Sequence, residues 1–275
     1  MENKILIVGF GVVGQVIYNS LSDQFTADLC DPKLENFDQN VDIDWENIND
    51  KYSTIFLCVP TSTGKDVRSE YTPIIVQEYL EACVRHKFKG IVIIKSTILY
   101  KDIEKFTEIL KLAYWAEFLN DLTAETDYID DVRPLVGCPT FIVNDMNEIF
   151  KTHFSHISAP HYDTLENAIN FKFIRNAYIS WKISFWNIIA QHKIMDQRSI
   201  THLLDQRPVP ECTAIAIDGL LGFGGKCLPK DFQALNSVLN EKIFNDTITW
   251  NKNLRDPNPP KFMGANKGGG MKGDF

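Results

Sequence analysis

Ile5-Leu6-Ile7-Val8-Gly9-Phe10-Gly11-Val12-Val13-Gly14 is the stretch that decides the fold. An apolar run of strand length meets a Gly-x-Gly-x-x-Gly pattern without a gap, and an amphipathic segment over 12–22 follows. The pattern needs that setting, after a strand and opening a helix. Gly9 allows the tight turn, Gly11 lets the main chain approach a pyrophosphate, and Gly14 lets helix and strand pack closely. The helix start at Val12 and Val13 then offers amide groups and a positive dipole end to phosphates. Ala27-Asp28-Leu29-Cys30-Asp31 supplies a second strand ending in an acid. Asp31 there accepts hydrogen bonds from adenosine ribose hydroxyls and repels a 2′-phosphate, which predicts NAD rather than NADP; Lys33 nearby slightly weakens that preference. A glycine turn with no nucleotide is the plainer alternative.

Further strands recur at α/β spacing. Residues 54–59 are continuous and apolar, as a parallel strand buried on both faces should be. They end in Val59-Pro60-Thr61, at the sheet edge where doubly wound folds bind ligands. The pattern predicts a helix over 73–86, a strand over 90–94 running into Lys95-Ser96-Thr97, and a helix over 101–112. A strand over 112–116 opens into Glu117-Phe118-Leu119, a late strand covers 140–143, and a helix over 147–156 closes the unit. Residues 1–160 thus read as a Rossmann-type, doubly wound α/β domain.

Residues 161–256 read as an all-helical domain. The stretch 167–194 lacks proline and glycine and is apolar all round, so it should be buried in a domain or an oligomer interface. Lys172, Asn176 and Ser180 share one face at four-residue spacing. Such a stripe lines a cavity or carries a desolvation cost; alternatively, Lys172 snorkels from a core helix to solvent. Asp205-Gln206-Arg207-Pro208 breaks the helices ahead of Gly222-Phe223-Gly224-Gly225-Lys226-Cys227-Leu228-Pro229-Lys230-Asp231. Three glycines in four residues suit a loop whose main chain lies against a ligand. Lysines on both sides of Cys227 favour its thiolate. A glycine turn with a buried, inert cysteine shares the local pattern. One or two helices are expected over 232–253, and the Gly/Pro-rich tail 257–275 is expected to be disordered.

The chain has 275 residues, 44% hydrophobic and 23% charged, enough for two modest domains. A net charge of −8 argues against a nucleic-acid or anionic-membrane surface. No run of about 18 apolar residues would span a bilayer, and the N-terminal residues lead straight into a strand, leaving no room for a signal peptide. Six cysteines, without a Cys-x-x-Cys pair, give neither a metal site nor a disulfide framework, so a cytoplasmic protein is expected.

With these stretches in place, the sequence resembles the UDP-glucose/GDP-mannose dehydrogenase family. The resemblance rests on Gly9 to Gly14, Cys58-Val59-Pro60-Thr61, Lys95-Ser96-Thr97, Glu117-Phe118-Leu119, the helix with Lys172 and Asn176, and Gly222 to Asp231, all in family order over roughly 1–255. It implies oxidation of a sugar primary alcohol to a carboxylate in two steps with two NAD, of the UDP-glucose to UDP-glucuronate type. Carried over by position, Lys172 and Asp231 act on the hydroxyl proton, Cys227 attacks the aldehyde, Lys172 and Asn176 hold oxyanions, Glu117 activates water and Thr97 positions it. NAD contacts fall to Gly9, Gly11, Val12, Val13, Gly14, Asp31, Lys33, Val59, Pro60, Thr61, Thr97 and Lys230. Substrate contacts fall to Glu117, Phe118, Leu119, Lys172, Asn176, Arg207, Phe223, Gly224 and Gly225, and the central helix implies a homodimer.

The chain also departs from the family pattern. Trp115-Ala116 stands where Asn-Pro is usual, Leu122 replaces a glycine, and Val132 replaces an aspartate. Arg207 lies farther from Cys227 than in relatives, and the family's C-terminal nucleotide-sugar domain is expected to be absent. Two other readings stay open: a dehydrogenase of a smaller sugar or hydroxy acid, and a non-catalytic NAD-binding partner subunit. A dehydrogenase that stops at the aldehyde does not require Cys227.

Overall fold

The apolar runs of the N-terminal half become the strands of one seven-stranded sheet, in the order β2-β1-β3-β4-β5-β6-β7. The structure, a computed structural model, describes residues 4–34, 40–63, 70–118, 134–191, 195–206 and 221–255. β1 (Lys4–Val8) lies between β2 (Ala27–Cys30) and β3 (Tyr52–Leu57), and β4 (Ile91–Ile94) and β5 (Lys111–Trp115) continue the sheet. These five are parallel, with Val8 opposite both Cys30 and Leu57. Beside β2, Leu29 makes a single parallel bridge to Asn40, and the Val41 amide donates to the Leu29 carbonyl at 2.8 Å. That bridge stands where a Rossmann sheet has its outermost strand. The order therefore reverses at β1, and the crevice beyond the carboxyl ends of β1 and β3 is the switch point.

Helices α1 (Val12–Asn19), α2 (Ile48–Lys51), α3 (Ile74–Arg85), α4 (Tyr100–Ile103) and α5 (Val143–His153) join the strands. The core packs Ile5, Ile7, Phe56, Ile93 and Trp115 against Val16, Ile17, Met146 and Phe150. Burying each such side chain stabilises the fold by about 1.5–3 kcal/mol relative to leaving it exposed.

Two expected elements differ. Residues 140–143 are no strand: Thr140–Ile142 is a 3-10 turn running into α5. Ile142, Met146 and Phe150 recur at four-residue spacing and all are buried, so the helical period overrides the β-branched run. The sheet instead gains β6 (Leu135–Gly137), antiparallel to β5, and β7 (His161–Asp163), parallel to β6. The helix expected over 101–112 shrinks to α4 and a 3-10 turn over Glu104–Phe106, because Lys111 already pairs with Ile91 in the sheet.

The chain divides into two compact units, the first reaching Arg175 and the second beginning at Asn176. The division falls inside α6 (Leu165–Gln191), later than the expected boundary at 160, since β7 belongs to the sheet. Thr164 caps α6, its hydroxyl accepting from the Asn167 amide at 3.1 Å. In the second unit, α7 (Gln197–Gln206), α8 (Leu228–Leu239) and α9 (Lys242–Arg255) follow. Asn240, left-handed at φ 52°, ends α8 and splits the expected helical stretch in two. Ala177, Ile183, Phe223 and Phe232 form the core of this unit. The tail 257–275 lies outside the described residues. Among those described, no helix is long and apolar enough to cross a membrane.

Candidate active site

The carboxyl edge of the first unit's sheet carries the predicted cofactor residues. Gly9 sits at φ +90°, and a Cβ there would come 2.7 Å from the Cys58 carbonyl oxygen. A Cβ on Gly14 would stand 2.0 Å from the Gly9 carbonyl oxygen. At Gly11 nothing lies within 4 Å of such an atom. Two glycines thus close the turn onto its neighbours while the third keeps open space before the start of α1. Asp31, at the end of β2, accepts from the Phe10 amide on Oδ2 at 2.7 Å and from the Lys33 amide on Oδ1 at 2.8 Å. Its carboxylate ties the glycine turn to β2, and each oxygen retains accepting capacity for a ribose hydroxyl. This open turn, helix start and acid fit a dinucleotide.

Val59, Thr61 and Thr97 are buried and Pro60 is exposed. Ser96 fixes this stretch: its hydroxyl is directed at the Val59 carbonyl at 2.7 Å and the Leu57 carbonyl at 3.1 Å. The Tyr71 hydroxyl accepts from the Leu99 amide at 2.9 Å and donates to Asp102 Oδ2 at 2.6 Å, holding the strand exit two residues past Thr97. Tyr71 carries no sequence signal for this role, since its partners lie 28 and 31 positions away, and the motif around Ser96 does not show which distant carbonyls its hydroxyl reaches. Burial pushes the Cys58 thiol up to about 12, with Lys95 opposing and Glu117 adding to the shift.

Glu117, just beyond β5, is buried, and so is Lys172 on α6. Lys172 Nζ lies 2.8 Å from Glu117 Oε1 and also donates to the Glu117 carbonyl. Lys172 therefore does not snorkel to solvent; its ammonium is held inside the first unit. The Phe118 ring meets Phe171 edge to face at 5.9 Å, with the Arg175 guanidinium 4.6 Å from its centroid. Leu119, Leu122, Val132 and Arg207 lie outside the described residues.

In the second unit, Asn176 donates Nδ2 to Asp231 Oδ2, and Lys230 Nζ pairs with Asp231 Oδ1. Asp231 is wholly buried and Lys230 nearly so, which leaves Lys230 little surface for the cofactor role read from position. Ser180, Ser184 and Asn187 extend the buried polar face of α6, the two serines donating one turn back to Asn176 and Ser180 carbonyls. Cys227 stands directly before α8 and is half-buried, while Lys226 is exposed. Gly222 and Gly225 take φ +80° and +77°, a backbone that requires glycine. The Phe223 ring is in the core, 5.5 Å from that of Phe232, and both its main-chain groups are bonded to Asn251, so it anchors the loop. Among the described residues, no group of three or more His, Cys, Asp or Glu could hold a metal ion.

Comparison with known proteins agrees with this fold. Residues 166–253 match the model of the UDP-glucose/GDP-mannose dehydrogenase family, central domain. A search of curated protein sequences found no match. A UDP-glucose dehydrogenase from Pyrobaculum islandicum is similar in structure, with TM-score 0.66 and 16% identity, over 90% of this chain and 67% of that one. A GDP-mannose dehydrogenase from Pseudomonas aeruginosa gives 0.57 and 19%, over 91% and 69%. A UDP-D-ManNAc dehydrogenase from Pyrococcus horikoshii gives 0.68 and 15%, over 91% and 68%. At these identities the likeness is one of fold, and the chain spans about two thirds of those chains' length. The resemblance read from the motifs therefore holds: residues 166–253 carry the central-domain pattern of the UDP-glucose/GDP-mannose dehydrogenase family, and the chain takes the fold of nucleotide-sugar dehydrogenases.

Proposed function

We propose that the chain is an NAD-dependent dehydrogenase that oxidises the primary alcohol of a nucleotide sugar to a carboxylate through Cys227. One observation carries the reading. In the first unit Lys172 holds Glu117, and in the second Asn176 holds Asp231, whose amide donates to the Cys227 carbonyl at 2.9 Å. The residues named by position are thus the ones that bury and pair their charges.

Bound NAD supplies the hydride acceptor, twice per sugar. The glycine turn, α1 and Asp31 would hold it, and the buried Val59, Thr61 and Thr97 would line its place. Asp231, through water, takes the hydroxyl proton as the alcohol becomes an aldehyde, while the Lys172 ammonium donates to the oxygen that loses it. The Cys227 thiolate then forms a C–S bond to the aldehyde carbon, and Lys172 and Asn176 face the oxyanion with N–H donors. The second oxidation leaves a thioester. Water deprotonated at Glu117 attacks it, the C–S bond breaks, and the carboxylate and the Cys227 thiolate separate. In balance, one alcohol, two NAD⁺ and one water give a carboxylate, two NADH and three protons. UDP-glucose is the substrate that the overall resemblance favours.

Self-association is part of the proposal. Phe171, Ile174, Tyr178, Trp181 and Phe185 are exposed large hydrophobics on α6. Their alternating steps of three and four are the seam that a second copy of the same helix complements. Sedimentation velocity should show a dimer that Phe185→Glu weakens; an unchanged monomer would remove the seam from the proposal.

The deciding experiment measures NADH formed from NAD and a panel of UDP- and GDP-sugars, for the wild type and Cys227→Ser. Two NADH per sugar, lost in the variant, is the expected result. One NADH per sugar, insensitive to the substitution, would sink the thioester route and leave a simple alcohol dehydrogenase. NAD binding without turnover on any sugar would leave a binding module.

A further inference from the structure

The loop ahead of Cys227 is held by side chains that the reaction does not use. Asn251, on α9 and 2% exposed, accepts from the Phe223 amide on Oδ1 at 2.8 Å and donates Nδ2 to the Phe223 carbonyl at 2.9 Å. One side-chain amide thereby satisfies both main-chain groups of one residue, as a neighbouring strand would. Three weaker contacts accompany it. The Gly222 amide donates to Asn187 Oδ1 at 3.3 Å, and Arg255 Nη1 lies 3.3 Å from the carbonyls of Leu221 and Gly222. A Cβ on Gly222 would fall 2.4 Å from Asn251 Oδ1, so Gly222 also admits this close approach.

From Phe223 the chain runs through Gly224, Gly225 and Lys226 to Cys227, then enters α8 at Leu228. Only three residues separate Phe223 from Cys227, so the cysteine stands on a short span between two fixed points, the start of α8 and the Phe223 anchor. That anchor is a core ring plus the Asn251 pair.

We propose that Asn251 is a positioning residue for Cys227: by clamping Phe223 it fixes where the thiol stands, and so how fast the thiol reacts. The proposal rests on the reading of Cys227 as the nucleophile. A displacement of about 1 Å at a reacting atom can cost about a hundredfold in rate, so loss of the clamp should appear in turnover rather than in binding.

The test compares Asn251→Asp and Asn251→Leu with the wild type. Asp has nearly the same shape, keeps the acceptor for the Phe223 amide, and sets a carboxylate oxygen against the Phe223 carbonyl. Leu removes both bonds. For each protein, kcat and KM for the sugar nucleotide, NAD affinity, helical circular dichroism, and the pH profile of Cys227 alkylation by iodoacetamide with peptide mapping are measured. Both variants should lose about tenfold or more in kcat with KM and NAD affinity within about twofold, and the Cys227 alkylation profile should move. An unchanged kcat and an unchanged alkylation profile in a folded variant would overturn the proposal. So would loss of helical signal in both variants, which would make Asn251 a folding residue only. If the wild type itself fails to give two NADH per sugar, the nucleophile reading fails, while the alkylation profile still decides whether Asn251 controls the thiol.

Discussion

Lys172→Met probes a buried charge pair in the proposed site. The side chains of Lys172 and Glu117 are 3% and 8% exposed, with Nζ 2.8 Å from Oε1. Methionine has similar length and volume, so the substitution opens little cavity; it removes the ammonium from a carboxylate that has little water. Breaking a buried pair from one side costs about 3–5 kcal/mol. The Glu117 carbonyl loses the same donor, adding about 1 kcal/mol. A loss of about 5 kcal/mol should lower Tm by roughly 10–20 °C, at roughly 2–4 °C per kcal/mol for a domain of this size. The double variant Lys172→Met/Glu117→Leu discards both charges and should return to within about 2 kcal/mol of wild type. Urea unfolding followed by circular dichroism and tryptophan fluorescence, run as a double-mutant cycle, measures both values. A single variant within about 1 kcal/mol of wild type would show that the pair is not desolvated. A double variant as unstable as the single one would show that the loss does not come from the carboxylate.

Gly11→Ala and Gly14→Ala should separate binding from folding. The first adds a Cβ with nothing within 4 Å and should leave Tm unchanged while weakening NAD binding about tenfold or more by calorimetry; the second puts Cβ 2.0 Å from the Gly9 carbonyl and should lower Tm. Equal Tm for the two would refute the reading of the turn. Burial pushes the Cys58 and Cys83 thiols up to about 12 and Cys138 up to about 11. Iodoacetamide near neutral pH, followed by peptide mapping, should therefore label Cys227 well ahead of these three; labelling of Cys58 first would contradict the assignment. Burial also holds the His153 imidazole below its ordinary value of 6.5. A depressed folded value means stability that is complete above that ordinary value and lost as pH falls through the folded one. His153→Gln should flatten this acid-side fall in the urea midpoint, and an unchanged slope would exclude the group.

What can be read from the sequence is what neighbours in the chain determine. The turn over Gly9 to Gly14 is legible because strand, turn and helix start are contiguous and each glycine answers a local steric demand. β6 and β7 are not legible. Each has three residues, too few for a period; β6 exists because β5 offers Tyr114 and Trp115 for pairing, and β7 because β6 then offers its other side. The run Thr140 to Val143 misleads for the converse reason, its β-branched composition yielding to the burial of Ile142 and Met146 on a helix. Lys172 and Asn176 are visible as a polar face, yet each meets its carboxylate 55 positions away. Asn251 is the extreme case. It joins Phe223 across 28 positions by bonds to main chain, which leave no trace in residue type on the other side.

The reversed direction of β6 has a consequence for how such a protein could be diversified. Because β6 runs against β5, with Trp115 opposite Val136 and the Ala116 amide donating to the Leu135 carbonyl at 3.0 Å, the chain leaves and re-enters the sheet at the same edge. Glu117 and Phe118 are the first residues past this latch, and the paired positions fix the base of whatever the chain inserts after them. Doubling the length of an insert closed in that way costs only about 0.6 kcal/mol in closure entropy. Sequence added beyond Phe118 therefore need not re-register a strand.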